Sequence, residues 1–385
     1  MLSALTAFLV AANLVFAARE LDVIRRSRAV VPTREATGAL PSLSIVVPAR
    51  NEERQIERCV RSLLATRHPR FEVIVVDDQS TDRTRSILDR VGAGESQLRV
   101  VSGEPLPRGW VGKPWALTQG ARTARGEWLL FTDADTEHHP LAAASALQFA
   151  LDGGFGAVSL LTDQETAGWA ERIFLPTILF VILLGVGALD DVNDPRKREV
   201  AIFNGQYVMA SRTAYDAIGG HAAVRKEIAE DLELARLFKR DGRFRTFLAG
   251  SNQLVRTRMY RSFGEIWLGF VKNFGLAARG HATAALVGAA LLACVSLLSP
   301  GVLVVLLLQR WWLAAGVLAL SMLVVVAIAE SGMRAMRFRA GSGFALQLGL
   351  ALTLAIFATS LVLLRCGSGV AWRGRRYGGV FRQTR

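Results

Sequence analysis

The stretch Trp128-Leu-Leu-Phe-Thr-Asp-Ala-Asp135 sets the fold of this chain. Four apolar residues in a row suit a strand buried on both faces, and the polar residues after them mark its carboxyl end. Towards the amino terminus the same pattern recurs twice. Ser44-Ile-Val-Val47 runs into Pro48-Ala-Arg-Asn-Glu52, and Phe71-Glu-Val-Ile-Val-Val76 runs into Asp77-Asp-Gln-Ser-Thr-Asp82. A further short strand is predicted at Leu98-Arg-Val-Val101. Glu53 to Leu64 and Thr81 to Val91 carry apolar residues at helical spacing, the second with Ser80 or Thr81 as its cap. Buried strands alternating with helices predict an α/β domain with a mostly parallel sheet. Open sheets of this kind bind ligands beyond the carboxyl ends of their strands, so the three polar clusters are expected to share one edge.

The bulk composition adds a membrane. Of the 385 residues 51% are hydrophobic, more than a soluble domain needs, and the excess sits in uncharged blocks at 1–18, 282–309, 311–329 and 340–364. Each reaches the roughly 18 residues that can span a bilayer. Block 173–189 is shorter, holds Pro176 and lies between chemically active-looking segments, so an interfacial or re-entrant helix is expected there. The net charge is +13, with arginines beside apolar blocks, as at Arg25, Arg26, Arg28, Arg334, Arg337 and Arg339. That placement suits anionic headgroups on the cytoplasmic side and argues against nucleic acid as a partner. The expected organisation is an anchor at 1–18, a basic linker at 19–42, a catalytic domain at 43–280, about three helices within 281–364, and a basic tail at 365–385. The expected location is the cell (inner) membrane, multi-pass, with the catalytic domain cytoplasmic. One conflict stands. One span plus three puts the tail outside, whereas Arg365, Arg373, Arg375, Arg376, Arg382 and Arg385 call for the inside. Cys59, Cys294 and Cys366 form no CxxC pair and suggest no disulfide framework, which fits a reducing compartment.

Asp133 and Asp135, two residues apart at a strand end, can share a divalent cation and a diphosphate. Hard oxygen ligands favour Mg²⁺ or Mn²⁺. Alone, such a pair more often marks a solvated turn with a helix cap. His138 and His139 follow it and are expected as an exposed loop pair rather than metal ligands. Trp110 and Trp115 fit a donor pocket and the core equally well.

Taken in order, SIVVPARNEE (44–53), VIVVDDQSTD (73–82), GKPWALTQGA (112–121) and LLFTDAD (129–135) resemble the inverting glycosyltransferases of family 2, which have the GT-A fold. The resemblance covers residues 43 to about 275 and is specific as a set. It implies a nucleotide-diphosphate sugar donor, with UDP-sugars favoured over GDP-sugars. Pro48, Arg50 and Glu52 match the loop lining the nucleotide, Asp78 the acid that reads the base, and Lys113 a basic position near the diphosphate. Asp133 would approach the ribose or the metal, and Asp135 the metal. Asn204 and Gly205, within Phe203-Asn-Gly-Gln-Tyr207, match the loop beneath the donor sugar. Glu230-Asp231 matches the acidic motif whose aspartate is the catalytic base, which would take the acceptor hydroxyl's proton. Arg258 and Arg261 match an arginine motif that can hold the diphosphate, although its usual tryptophan is absent. That weakens a polymer-synthase reading. Gly109-Trp-Val-Gly-Lys113, Trp169-Ala-Glu-Arg172, Val192-Asn-Asp-Pro195 and Trp372-Arg-Gly-Arg-Arg-Tyr377 resemble hopanoid-associated and carotenoid glycosyltransferases, and more distantly ceramide glucosyltransferase. These imply a lipid acceptor reached from the membrane. A polyprenyl phosphate is the alternative acceptor, and a non-catalytic sugar-nucleotide-binding membrane protein is the alternative of another class.

Overall fold

The computed structural model describes residues 1–27, 39–251, 253–277, 282–365, 370–372, 375–378 and 382–383. Its centre is a seven-stranded sheet. The strands are β1 (Leu43–Ala49), β2 (Phe71–Asp77), β3 (Leu98–Ser102), β4 (Trp128–Phe131), β5 (Thr136–His138), β6 (Phe155–Leu161), β7 (Asp163–Gln164), β8 (Val208–Ser211), β9 (Arg245–Gly250) and β10 (Val255–Thr257). The central order is β3-β2-β1-β4-β8-β6-β9, while β5-β10-β7 form a small second sheet. Strands β1 to β4 pair in parallel and β6 pairs in parallel with β9. Only β8 runs antiparallel to its neighbours in that sheet. The sheet is therefore mostly parallel, as the alternation of elements predicts.

Strand periodicity decides which core each residue joins. Ile45 and Val47 of β1 pack with Val73, Val75 and Leu130 on one face. Val46 joins Leu129, Phe131 and Val208 on the other. Both faces are covered by helices, so the strands read as continuous apolar runs. The helix Gly112–Thr123 lies so close to β1 that a Cβ at Gly120 would come within 2.3 Å of Val46 Cγ1.

Two sequence expectations shift. The first helix begins at Ile56, after a turn at Glu53–Gln55. The second begins at Thr84, and neither Ser80 nor Thr81 caps it. Both are used instead to join two loops: Ser80 Oγ accepts from the Asn51 amide at 3.0 Å, and the Thr81 amide donates to Asn51 Oδ1 at 2.8 Å.

Among the described residues five helices have the length and hydropathy to cross a membrane: Leu2–Arg25, Trp169–Val186, Leu286–Leu308, Trp312–Ala335 and Ser342–Leu363. The amino-terminal helix runs on through Ala18 to Arg25, and the block at 282–309 contains a π turn at Cys294–Leu298. Asn13 ties three of these helices together. Its Nδ2 donates to Ser321 Oγ at 2.9 Å, and its Oδ1 accepts from Ser299 Oγ at 3.5 Å. Polar contacts of this kind hold helices where lipid gives no hydrophobic drive.

Candidate active site

The carboxyl ends of β1, β2 and β4 present their loops at one edge. Between the first two, Arg50 Nη1 donates to the Asp78 carbonyl at 2.6 Å, and the Asp78 amide donates to the Ala49 carbonyl at 2.8 Å. Asn51 and Gln79 hold positive φ, 54° and 57°. For glutamine that is uncommon, and such strain persists only where surrounding contacts enforce it. Here the cross-loop bonds to Ser80 and Thr81 do so. Pro48 sits within β1, and the Glu52 amide donates to Thr84 Oγ1 at 2.8 Å.

The second half of the site centres on Lys113, at the start of its helix. Lys113 Nζ lies 2.7 Å from Asp133 Oδ1 and 2.7 Å from Glu230 Oε1. Asp231 follows on the next residue, where Oδ2 accepts from the Gly205 amide at 2.8 Å and Oδ1 from the Leu232 amide at 2.9 Å. Five residues singled out in the sequence, Lys113, Asp133, Gly205, Glu230 and Asp231, thus form one cluster. Burial pushes the Glu230 carboxyl up to about 7, against the pull of Lys113. Burial also raises Asp231 above the usual aspartate range. Burial opposes the Lys113 charge, yet Asp133, Glu230 and Asp231 hold its proton affinity above that of a free lysine.

Gly205 has no room for a side chain. A Cβ there would lie 2.9 Å from Asp231 Oδ2 and 3.0 Å from Lys113 Nζ. Gly205→Ala is expected to cut activity by about tenfold or more through displacement of this pair. Unchanged turnover in a folded Gly205→Ala protein would show that the cluster tolerates the shift.

Asp135 reaches β10 through its carbonyl, which accepts from Thr257 Oγ1 at 3.1 Å. Among the described residues no three His, Cys, Asp or Glu side chains gather to hold an ion by themselves. A cation at Asp133 and Asp135 would therefore need further ligands, such as the diphosphate oxygens and water that Mg²⁺ and Mn²⁺ keep in their shells.

Other candidates also make contacts within the chain. Asn204 clamps its loop, with its amide on Ser159 Oγ at 2.8 Å and Nδ2 on the Leu160 carbonyl at 2.8 Å. Arg258 forks onto Glu171, with Nε at 2.8 Å and Nη2 at 3.1 Å. Glu171 is fully buried and also accepts from the Ala167 amide at 3.0 Å. Glu171→Gln is expected to destabilise the fold by about 3 kcal/mol, because it leaves a partly buried guanidinium without its counter-charge. Thermal unfolding reads this directly. The Arg261 amide donates to Glu265 Oε2 at 2.7 Å, at the head of the helix Phe263–Ala277.

The expected exposed histidine pair is only half realised. His139 is exposed, but His138 is buried in β5. Its Nε2 meets the hydroxyls of Thr132 and Thr136 at 3.0 and 2.9 Å, and its ring lies against Tyr207. Burial drives its pKa down to about 3, so it is neutral and braces the turn that carries Asp133. Alternation within β5 turns His138 inward and Glu137 outward. Trp115 is core: it is buried, meets Trp110 edge-on and donates Nε1–H to the Glu104 carbonyl at 3.2 Å.

Lys272 is not among the residues the sequence motifs point to. It stands on the helix Phe263–Ala277, where burial lowers its ammonium to about 8 while the charges of Glu230, Asp133, Asp231 and Lys113 act on it. The available signal was a single lysine in the otherwise apolar run from Ile266 to Leu276 interrupted only by Asn273.

Residues 44–233 match the family described as Glycosyl transferase family 2. The 4,4'-diaponeurosporenoate glycosyltransferase of Staphylococcus aureus (strain MRSA252) is 28% identical over 242 residues, 62% of this chain and 62% of that protein. The match thus spans under two thirds of the relative's length. Among solved structures, the mannosyltransferase PcManGT from Pyrobaculum calidifontis, in complex with GDP-Man and Mn2+, superposes with a TM-score of 0.57. It is 21% identical and covers 93% of this chain and 99% of its own. Residues 44–233 thus carry a Glycosyl transferase family 2 domain, and the sheet order and this superposition give it the GT-A fold.

Proposed function

We propose that the chain transfers a sugar from a nucleoside diphosphate sugar to the oxygen of a lipid acceptor at a membrane surface, with inversion. The observation that carries this reading is the bridge from Lys113 to Asp133 and Glu230, with Asp231 held on Gly205 beside it. It unites the groups that would handle a diphosphate with a carboxylate whose raised proton affinity suits a general base. Asp231 takes the acceptor hydroxyl's proton as the oxygen bonds to the anomeric carbon and the bond to the diphosphate breaks. Lys113, with Arg50 and Asp78 at the nucleotide end, orients the donor. A bound Mg²⁺ or Mn²⁺, held by Asp133 and Asp135, would neutralise charge on the leaving diphosphate. The name of the Staphylococcus relative supports an extended apolar acceptor.

Chain topology supports the membrane reading. Strands β1 to β4 and β6 precede the helix Trp169–Val186, and β8 and β9 follow it in the same sheet. A single crossing would put them on opposite sides, so this helix must start and finish on one side. Helix Leu346–Arg365 packs along it: a Cβ at Gly349 would meet Thr177. Near its carboxyl end Ser360 Oγ donates to the Val271 carbonyl at 2.6 Å, and Arg337, just past the helix Trp312–Ala335 that precedes it, lies 3.8 Å from Asp163. Both helices are read as interfacial. On this reading three crossings remain, at Leu2–Arg25, Leu286–Leu308 and Trp312–Ala335, a number in keeping with the positive-inside rule.

The test is nucleotide release by the full chain in lipid nanodiscs. UDP- and GDP-sugars are supplied with Mg²⁺ or Mn²⁺, with and without a lipid extract. Release that requires lipid and a divalent ion, and is lost in Asp135→Ala, supports the reading. Donor binding without release from any sugar nucleotide would favour a binding protein instead.

A further inference from the structure

The motif Val192-Asn-Asp-Pro195 has no part in this chemistry, yet it walls a second cleft. Asn193 pins the segment to β9: its Nδ2 donates to the Leu248 carbonyl at 2.9 Å, and its Oδ1 accepts the Leu248 amide at 2.7 Å. Beyond it opens a cleft of about 280 Å³, lined among others by Arg196, Arg198, Lys239, Phe244, Arg245 and Thr246. Four of these are cations, and no carboxylate lines the cleft among the described residues. The nearby acids are already engaged, Asp194 by Arg196 at 2.9 Å and Asp241 by Arg243 at 2.6 Å. The helix Glu230–Asp241 ends here, but its carboxyl terminus offers only about half a negative charge.

Lys239 is the most telling residue. It is 7% exposed, and its one hydrogen bond among the described residues goes to the Asp194 carbonyl at 2.7 Å. The charge of Asp194 acts on this buried ammonium, which has donors left for a further anion. The cleft also has a defined address. Asp191, on the same segment, pairs with Arg26 at 2.9 Å and with Lys197 at 2.5 Å. Arg26 is the residue that closes the helix Leu2–Arg25, and Arg19 Nη2 on that helix donates to the Leu184 carbonyl at 3.2 Å. The cleft therefore lies one loop from the end of a membrane-crossing helix.

We propose that this cleft binds the phosphate headgroup of an anionic phospholipid. Arg198 and Lys239 hold the phosphate, and Phe244 flanks the glycerol. The same helix carries Glu230 and Asp231 at its other end, about 18 Å away over 12 residues. A bound headgroup thus fixes the far end of the helix that presents the proposed base. This inference rests on the membrane reading above.

The full chain is incorporated into nanodiscs of phosphatidylcholine with phosphatidylglycerol, and retained phosphatidylglycerol is counted by native mass spectrometry. Arg198→Gln with Lys239→Gln is expected to lower retention about tenfold or more. Thr246→Glu, which adds a carboxylate to the cleft, should do the same, and thermal unfolding confirms that each variant is folded. Arg85→Gln with Arg90→Gln, which removes equal charge elsewhere, should leave retention unchanged. Retention that survives both cleft variants, or falls equally in the Arg85/Arg90 control, overturns the site. Displacement of the lipid by millimolar inorganic phosphate assigns the cleft to a soluble anion and overturns the headgroup. Failure of the chain to enter nanodiscs at all would instead overturn the membrane reading.

Discussion

An Asp231→Asn protein is expected to transfer sugar to a hydroxyl-bearing lipid about 10²- to 10⁴-fold more slowly than the wild type, with little change in donor KM. Both Asp231 oxygens already accept backbone N–H bonds, from Gly205 and Leu232, so the carboxylate is held in place rather than free to search. Asparagine keeps the shape but cannot take the proton. Burial raises the proton affinity of Asp231, and Glu230 beside it titrates near 7. A base must be deprotonated to act, so the rate should rise with pH through a limb above the ordinary carboxylate range. The coupled pair, rather than one residue, sets that limb. Glu230→Gln removes a neighbouring negative charge and should move the limb to lower pH. An Asp231→Asn protein that keeps most of its activity would point to an acceptor already ionised, a carboxylate or a phosphate, for which no base is needed.

The second large effect concerns Lys113. Lys113→Met should lower kcat/KM by roughly 10³-fold or more, because one cation faces both the diphosphate side and the acid cluster. The same change should cost stability. Asp133, Glu230 and Asp231 would remain as three neighbouring carboxylates without their shared partner. Breaking a fully buried pair costs about 3–5 kcal/mol. The Lys113 side chain is 31% exposed, and solvent screening reduces the expected loss to about 2 kcal/mol. Adding Glu230→Gln should recover part of the stability but none of the activity. Thermal unfolding and donor kinetics on the two single variants and the double variant check this. Full additivity in stability would mean that the two side chains do not interact as the geometry has them.

The elements of the domain were largely legible before any coordinates. Ser44–Val47, Phe71–Val76 and Trp128–Phe131 are apolar runs because both faces of the sheet are covered, and the polar residues after them mark loops at one edge. Helix starts were less legible. Ser80 and Thr81 have good capping side chains, but those groups serve the Asn51 loop instead. Local propensity could not register a partner some thirty residues away. His138 was misread for a related reason: a histidine after an acidic turn looks solvated until β5 pairs with β10 and turns it inward.

By itself the sequence determined the alternating strands and helices, the uncharged blocks and the carboxylates at strand ends, because side-chain periodicity and composition are local properties. Only the tertiary structure decided which charges meet. Lys113, Glu230 and Lys272 come from three helices far apart in the chain, and Arg258 finds Glu171 across the boundary between the domain and an apolar helix. Such pairings depend on three-dimensional proximity, and no periodicity along the chain encodes them.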